Sequence, residues 1–218
     1  MTITYHQPAL VARSQFETLL DYRRSVSDLY GRLRSSNLTL RERCDQFRRD
    51  RDLLFQHHPQ SALTETQKAG FAGLQYYPYN PAWRFVLPLD TNVVTEVTEM
   101  ELKDEGITRL QRFGQVHFDV AGQTVTLSLY WILGYGGGVF LPFRDLTHQT
   151  TTYGGGRYLL DTIKHADLGQ DGSCLIIDFN YAYNPSCAYN PAWNCPLAPR
   201  ENWLPVAVLA GEQRYNVA

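Results

Sequence analysis

Between Trp83 and Phe143 the sequence breaks into short β-branched and aromatic runs, and no helical stretch separates one from the next. The runs cover 83–89, 92–98, 107–113, 116–120, 124–133 and 139–143, with turn signals at Asp104-Glu105-Gly106, Phe113-Gly114 and Ala121-Gly122. Parallel strands need a crossover of about a dozen residues or more, so this spacing leaves only antiparallel arrangements. Val116–Val120 and Thr124–Leu129 flank Ala121-Gly122 as a hairpin. The expected fold class is α+β, mainly β: an antiparallel β-sandwich or partly open barrel with two to three N-terminal helices packed on it.

The helices are announced by their starts. Ser14 with Glu17, Thr39 with Glu42 and Thr64 with Gln67 are each a capping box, in which hydroxyl and carboxyl or amide satisfy orphan N–H groups. Phe16, Leu19, Leu20, Val26, Leu29, Tyr30 and Leu33 recur at helical spacing after the first box. After the second, Leu40, Cys44, Phe47, Leu54 and Phe55 form the apolar face, and Arg41, Arg43, Arg48, Arg49 and Arg51 are placed on the solvated one. Residues 1–75 are thus expected to be a helical N-terminal extension of two long helices and one short, and 76–218 a β-rich domain.

With 20 basic and 22 acidic side chains the chain has a net charge of −2, which argues against sequence-independent nucleic-acid binding. The longest apolar runs fall well short of a bilayer span, and the opening residues lack a secretory leader. Four cysteines are too few for a disulfide scaffold at this length. The expectation is a cytoplasmic protein with no membrane partner, no nucleic-acid partner and no cofactor.

Chemistry concentrates in two stretches. From Asp145 to Arg157, glycines and a dense set of donors (Thr147, Thr151, Tyr153, Arg157) suit either an anion held on backbone N–H groups with Arg157 as a clamp, or a glycine bend in which Arg157 pairs with Asp145 or Asp161. No Lys-Ser/Thr follows, so a nucleotide P-loop is excluded. From Cys174 the apolar run Leu175-Ile176-Ile177 empties into Asp178-Phe179-Asn180, which on a strand puts Asp178 and Asn180 on one side and Phe179 on the other. Asp178 there is a base, a ligand-holder or a structural acceptor, with Tyr183 and Asn184 able to orient it.

Tyr79-Asn80-Pro81-Ala82-Trp83 recurs as Tyr189-Asn190-Pro191-Ala192-Trp193, read as two similar turns. Cys187 and Cys195 are too far apart for a zinc pair and lack spaced His partners, so they are expected to be a buried or mutually close pair and no metal is expected. Asn202 is a loop cap or a ligand contact, Glu212 is assigned to a surface arginine such as Arg214, and Leu204–Leu209 is expected to be a strand.

Several of these motifs occur together in one order: Phe71-x-Gly73-Leu74-x-Tyr76-Tyr77-Pro78, Thr152-Tyr153-Gly154-Gly155-Gly156-Arg157-Tyr158, Asp178-Phe179-Asn180-x-Ala182-Tyr183-Asn184-Pro185-x-Cys187-Ala188-Tyr189, and Ala210-Gly211-Glu212. Over roughly 41–215 the chain resembles the bacterial and archaeal family catalogued as domain of unknown function 1684. The resemblance implies a β-rich domain with helical additions and brings no activity, cofactor or catalytic residue. The functional expectation is a polar-aromatic pocket for a small anionic or polyhydroxylated molecule. Thr147, Thr151, Tyr153, Arg157, Asp178, Asn180, Tyr183, Asn184, Trp193 and Asn202 would line it. The alternatives are a hydrolase using Asp178 as base and Arg157 as charge stabiliser, and a structural or interaction protein without a small-molecule site; a homodimer through the N-terminal helices is the partner expected.

Overall fold

The structure, a computed structural model, describes residues 14–102 and 106–216. The expected turn at Asp104-Glu105 and the reading of the opening residues for a leader lie outside the described residues.

Each of the three capping boxes starts a helix: α1 (Gln15–Ser35), α2 (Leu40–His57) and α3 (Glu65–Ala69). In every case the Ser or Thr oxygen accepts from the N3 backbone and the N3 side chain returns to the cap. The strands are β1 (Arg84–Pro88), β2 (Glu96–Leu102), β3 (Gly106–Val120), β4 (Gln123–Ile132), β5 (Gly138–Phe143), β6 (Arg157–Asp161), β7 (Gln170–Asp171) and β8 (Cys174–Asp178). They form two antiparallel sheets, one in the order β1-β8-β7 and one in the order β2-β3-β4-β5-β6. Neither closes into a barrel. Glu96, Glu99 and Glu101 stand exposed along β2, the outer strand of the larger sheet.

Both sheets contribute to one core. Val116, Leu127, Leu129, Leu141 and Phe143 from the larger sheet meet Ile177 from the smaller, with Phe85 and Leu87 packed against them. Phe179 lies at the centre, its ring 5.1–6.1 Å from those of Trp83, Phe85, Phe118 and Phe143. Burying such a ring contributes about 1.5–3 kcal/mol, so the residue between Asp178 and Asn180 anchors their polar side chains from behind.

Several expectations change. The run expected over 92–98 is a strand only from Glu96, as β2, and the strand from Cys174 ends at Asp178, with Phe179–Tyr181 forming a 3-10 turn. The two runs 107–113 and 116–120 are a single strand, β3, because Gly114 marks a bulge in it, not a turn. A Cβ at Gly114 would sit 2.7 Å from Leu89 Cδ1, so the missing side chain admits the segment that bridges Asp90 to Gln115. Arg51 belongs to the buried face of α2, in line with Cys44, Phe47 and Phe55.

Leu204–Leu209 is extended, with every second residue buried from Asn202 to Ala210, yet it forms no strand. Its contacts with the 144–146 segment are a few bonds: Leu204 N–H donates to Arg144 O at 2.7 Å and Leu146 N–H to Val206 O at 3.1 Å. Further along, side chains take the place of a ladder. Val208 N–H donates to Asp145 Oδ2, and Arg157 donates to the carbonyls of Val208, Ala210 and Glu212.

Candidate functional site

The ten expected site residues do not converge on one pocket. Arg157, at the start of β6, is among the largest fully buried side chains. Its Nη2 lies 2.8 Å from Asp145 Oδ2, and the rest of its fork is spent on the three carbonyls of the extended segment. Burial pulls the guanidinium below its ordinary value, and Asp145 opposes that pull. Thr147 serves the same carboxylate, giving its N–H and hydroxyl to Asp145 Oδ1 at 2.9 and 2.5 Å, and it touches Thr152 Oγ1. Thr151 is exposed and meets the Tyr77 hydroxyl. Of the readings open for Arg157, the geometry is that of the buried Asp145 pair.

Asp178 and Asn180 stand apart from this cluster, at the end of β8 facing α2. Asp178 Oδ1 accepts from both the Asn180 N–H (2.9 Å) and its side-chain amide (2.8 Å). Asn180 also exchanges two bonds with the Asn80 backbone, and Arg84 stands 3.9 Å from Asp178. Burial raises the Asp178 carboxyl above its ordinary value, more than Asn180, Arg84 and Arg48 lower it. The cavity beside it, lined by Leu33, Arg43 and Tyr181 among others, measures about 20 Å³, room for one water and nothing larger.

Tyr183 and Asn184 lead to a site not expected from the sequence. Arg51 donates from Nε to the Tyr76 hydroxyl (3.1 Å) and from Nη2 to Glu212 Oε2 (2.8 Å), with Tyr189 at 3.4 Å. The Tyr189 hydroxyl also donates to Glu212 Oε1, and Asn184 N–H to Glu212 Oε2. The rings of Phe55, Tyr183 and Phe47 flank the guanidinium at 5.1–5.6 Å. Burial raises the Glu212 carboxyl above its ordinary value against Arg51, Tyr189 and Asn184. Glu212 therefore pairs with Arg51 of α2, not with a surface arginine. The 44–47–51–55 spacing carried this signal, but the charge on Arg51 hid it.

Above this network opens a cleft of about 580 Å³ between the start of α3, the Gly70–Gln75 segment, the Tyr189-Asn190-Pro191 turn and Tyr215-Asn216. None of the ten expected residues lines it. Gln67 ties two walls together, donating to Tyr189 O at 2.9 Å, and the Tyr189 and Tyr215 rings pack at 5.4 Å. Burial raises the Tyr215 phenol, which therefore stays neutral. No Asp, Glu, Lys or Arg lines the cleft. The turn on its rim repeats the earlier one bond for bond: Asn80 Oδ1 accepts from Ala82 N–H at 3.0 Å, and Asn190 Oδ1 from Ala192 N–H at 2.9 Å. The echo ends differently, with Trp83 buried and Trp193 39% exposed.

The remaining expected residues are placed separately. Asn202 is fully buried and bridges β4 to β5, accepting from Ser128 N–H and donating to the carbonyls of Ser128 and Pro142. Tyr153 reaches Cys187, whose N–H donates to Cys195 Sγ, so the two thiols are close, as expected, and both are free. Among the described residues no three His, Cys, Asp or Glu side chains gather as a metal site would require. No helix among them is long and apolar enough to cross a membrane.

Two antiparallel sheets with helices packed on them and a buried Arg–Glu–Tyr network make this a β-rich α+β protein. Residues 69–213 match the model of a family described as a protein of unknown function, DUF1684, and the chain belongs to that family. A solution NMR structure of an uncharacterised protein from Haloarcula marismortui is similar, with a TM-score of 0.57 and 31% identity, covering 79% of this chain and 92% of that one. No curated protein matches the chain.

Proposed function

We propose that the protein binds a small, uncharged, polyhydroxylated molecule in the cleft between α3 and the Tyr189-Asn190-Pro191 turn. The observation that carries this reading is the composition of the cleft: two packed phenol rings, amides from Gln75, Asn190 and Asn216, and no ionised side chain. Aromatic walls with a few oriented polar groups are the usual make-up of a small-molecule site. Of the two ligand classes expected from the sequence, the uncharged lining favours the polyhydroxylated one. The hydrolase alternative is disfavoured, because Asp178 faces space for one water and Arg157 is spent on the fold. A structural reading draws on Phe16, Leu19 and Leu20, which α1 leaves exposed; a monomer in sedimentation equilibrium at tens of micromolar dismisses pairing through them.

The test is ligand-detected NMR against neutral sugars and polyols, each beside its phosphorylated counterpart, with Tyr215→Ala as control. The expected result is binding of a neutral compound that the substitution weakens at least about tenfold, the loss of one good aromatic contact. Binding confined to phosphorylated compounds, binding unchanged in the variant, or no binding at all rejects the reading.

A further inference from the structure

The loop whose crest walls the cleft has a cysteine at each foot. Cys187 N–H donates to Cys195 Sγ at 3.4 Å, and the Tyr153 hydroxyl lies 3.5 Å from Cys187 Sγ. Both thiols are half-buried, whereas Cys44 is sealed among Leu29, Phe47 and Tyr181. Cys174, equally half-buried at the start of β8, offers an internal control for exposure alone.

A thiolate, not a thiol, is the nucleophile in sulfur chemistry. The hydrogen bond from Cys195 lowers the Cys187 thiol below its ordinary value, and Tyr153 adds to it against the opposing effect of burial. The same contact raises Cys195, which keeps its proton until Cys187 has reacted. The arrangement therefore divides the labour between an ionised sulfur and a protonated neighbour within reach.

We propose that Cys187 and Cys195 form a redox-reactive dithiol in which Cys187 attacks a hydroperoxide and Cys195 resolves the product as a disulfide. In the first step the Cys187 thiolate attacks the terminal oxygen of ROOH. The O–O bond breaks, the alkoxide leaves and takes a proton from solvent as ROH, and Cys187 becomes a sulfenic acid. In the second step Cys195 sulfur attacks that sulfenic sulfur, the S–O bond breaks, and hydroxide leaves with the Cys195 proton as water. Two thiols lose two electrons, and the peroxide is reduced to alcohol and water. Tyr153 is a positioning residue, holding the thiolate by its hydroxyl. The proposal does not depend on what the cleft binds.

The experiment treats the reduced full chain with one equivalent of cumene hydroperoxide and maps peptides without reduction. The expected product is a Cys187–Cys195 linked peptide, with Cys44 and Cys174 still free to alkylate. Cys195→Ser should stop at a dimedone-trappable sulfenic acid on Cys187. In iodoacetamide pH profiles of the untreated protein, Cys187 should react with an inflection below the ordinary thiol value and, at neutral pH, about two- to threefold faster than Cys174, because its larger thiolate fraction is partly offset by a less nucleophilic sulfur. Tyr153→Phe should move that inflection upward. Oxidation of Cys174 at the same rate as Cys187, absence of the linked peptide, or an inflection at the ordinary thiol value overturns the proposal. The wild-type measurements decide it even where a variant folds poorly, and a failed ligand screen leaves it unaffected.

Discussion

Replacing Arg157 by Met removes the guanidinium but keeps most of the side-chain volume, so its effect isolates the polar contacts. In the wild type the fork serves Asp145 and three backbone carbonyls in the interior. Removing one partner of a buried ion pair costs about 3–5 kcal/mol, because the other charge stays behind without compensation. A buried carbonyl deprived of its donor adds about 1–3 kcal/mol, although relaxation of the extended segment recovers part of this. The expected loss is at least about 5 kcal/mol, comparable with the whole stability of many domains. Equilibrium urea unfolding followed by tryptophan fluorescence and far-UV dichroism measures it, if the variant folds at all. Arg157→Lys keeps the charge beside Asp145 and loses the fork, and should fall in between. In a double-mutant cycle, Asp145→Asn should be far from additive with Arg157→Met. If Arg157→Met unfolds within about 1 kcal/mol of the wild type, near the range of a surface change, the side chain does not hold the segment.

Two further outcomes follow from the same interior. Asn202→Ala removes three buried bonds between β4 and β5 and should cost about 2–4 kcal/mol in the same urea assay; a loss below 1 kcal/mol contradicts the bridging role. Asp178 titrates above its ordinary value of 3.8 in the folded protein. The folded state therefore binds its proton more tightly, so the stability this group contributes is present below that value and is lost as pH rises through the folded one. Asp178→Asn should flatten that fall, and an unchanged stability–pH slope in the variant contradicts the assignment.

Features set by local chemistry were legible in the sequence. Three capping boxes started three helices, and the absence of helical stretches between the runs made the sheets antiparallel. The alternation expected around Phe179 did not form as a strand: β8 stops at Asp178, whose side chain caps a single 3-10 turn over Phe179–Tyr181, and that turn sends Phe179 into the core. What escaped was decided by tertiary partners. Leu204–Leu209 has the period of a strand, but beyond two backbone bonds to Arg144 and Leu146 its hydrogen bonds go to the side chains of Asp145 and Arg157, which are remote in sequence. Arg51 sits at an apolar position of α2, and only Glu212, far along the chain, makes its burial tolerable. The expected pocket failed to assemble for the same reason: polar residues that cluster in sequence, such as Thr147 and Arg157, satisfy one another and the backbone inside the fold. The cleft is lined instead by the plain amides and tyrosines of segments that sequence keeps apart.

The carboxylates along β2 bear on how copies of this protein meet one another. An outer strand offers unpaired N–H and C=O groups to any passing strand, and charge is one of the means by which proteins discourage that. Two molecules pairing β2 with β2 would bring two sets of these three carboxylates onto adjacent strands. Arg109 and Arg112 engage Glu99 and Glu96 from the neighbouring strand of the same molecule, and so do not bridge to a second one. The repulsion is electrostatic and exposed, hence screened over about 8 Å at physiological ionic strength and over less at higher salt. Solubility of concentrated protein should therefore fall as salt is added, with sheet extension as the route of association.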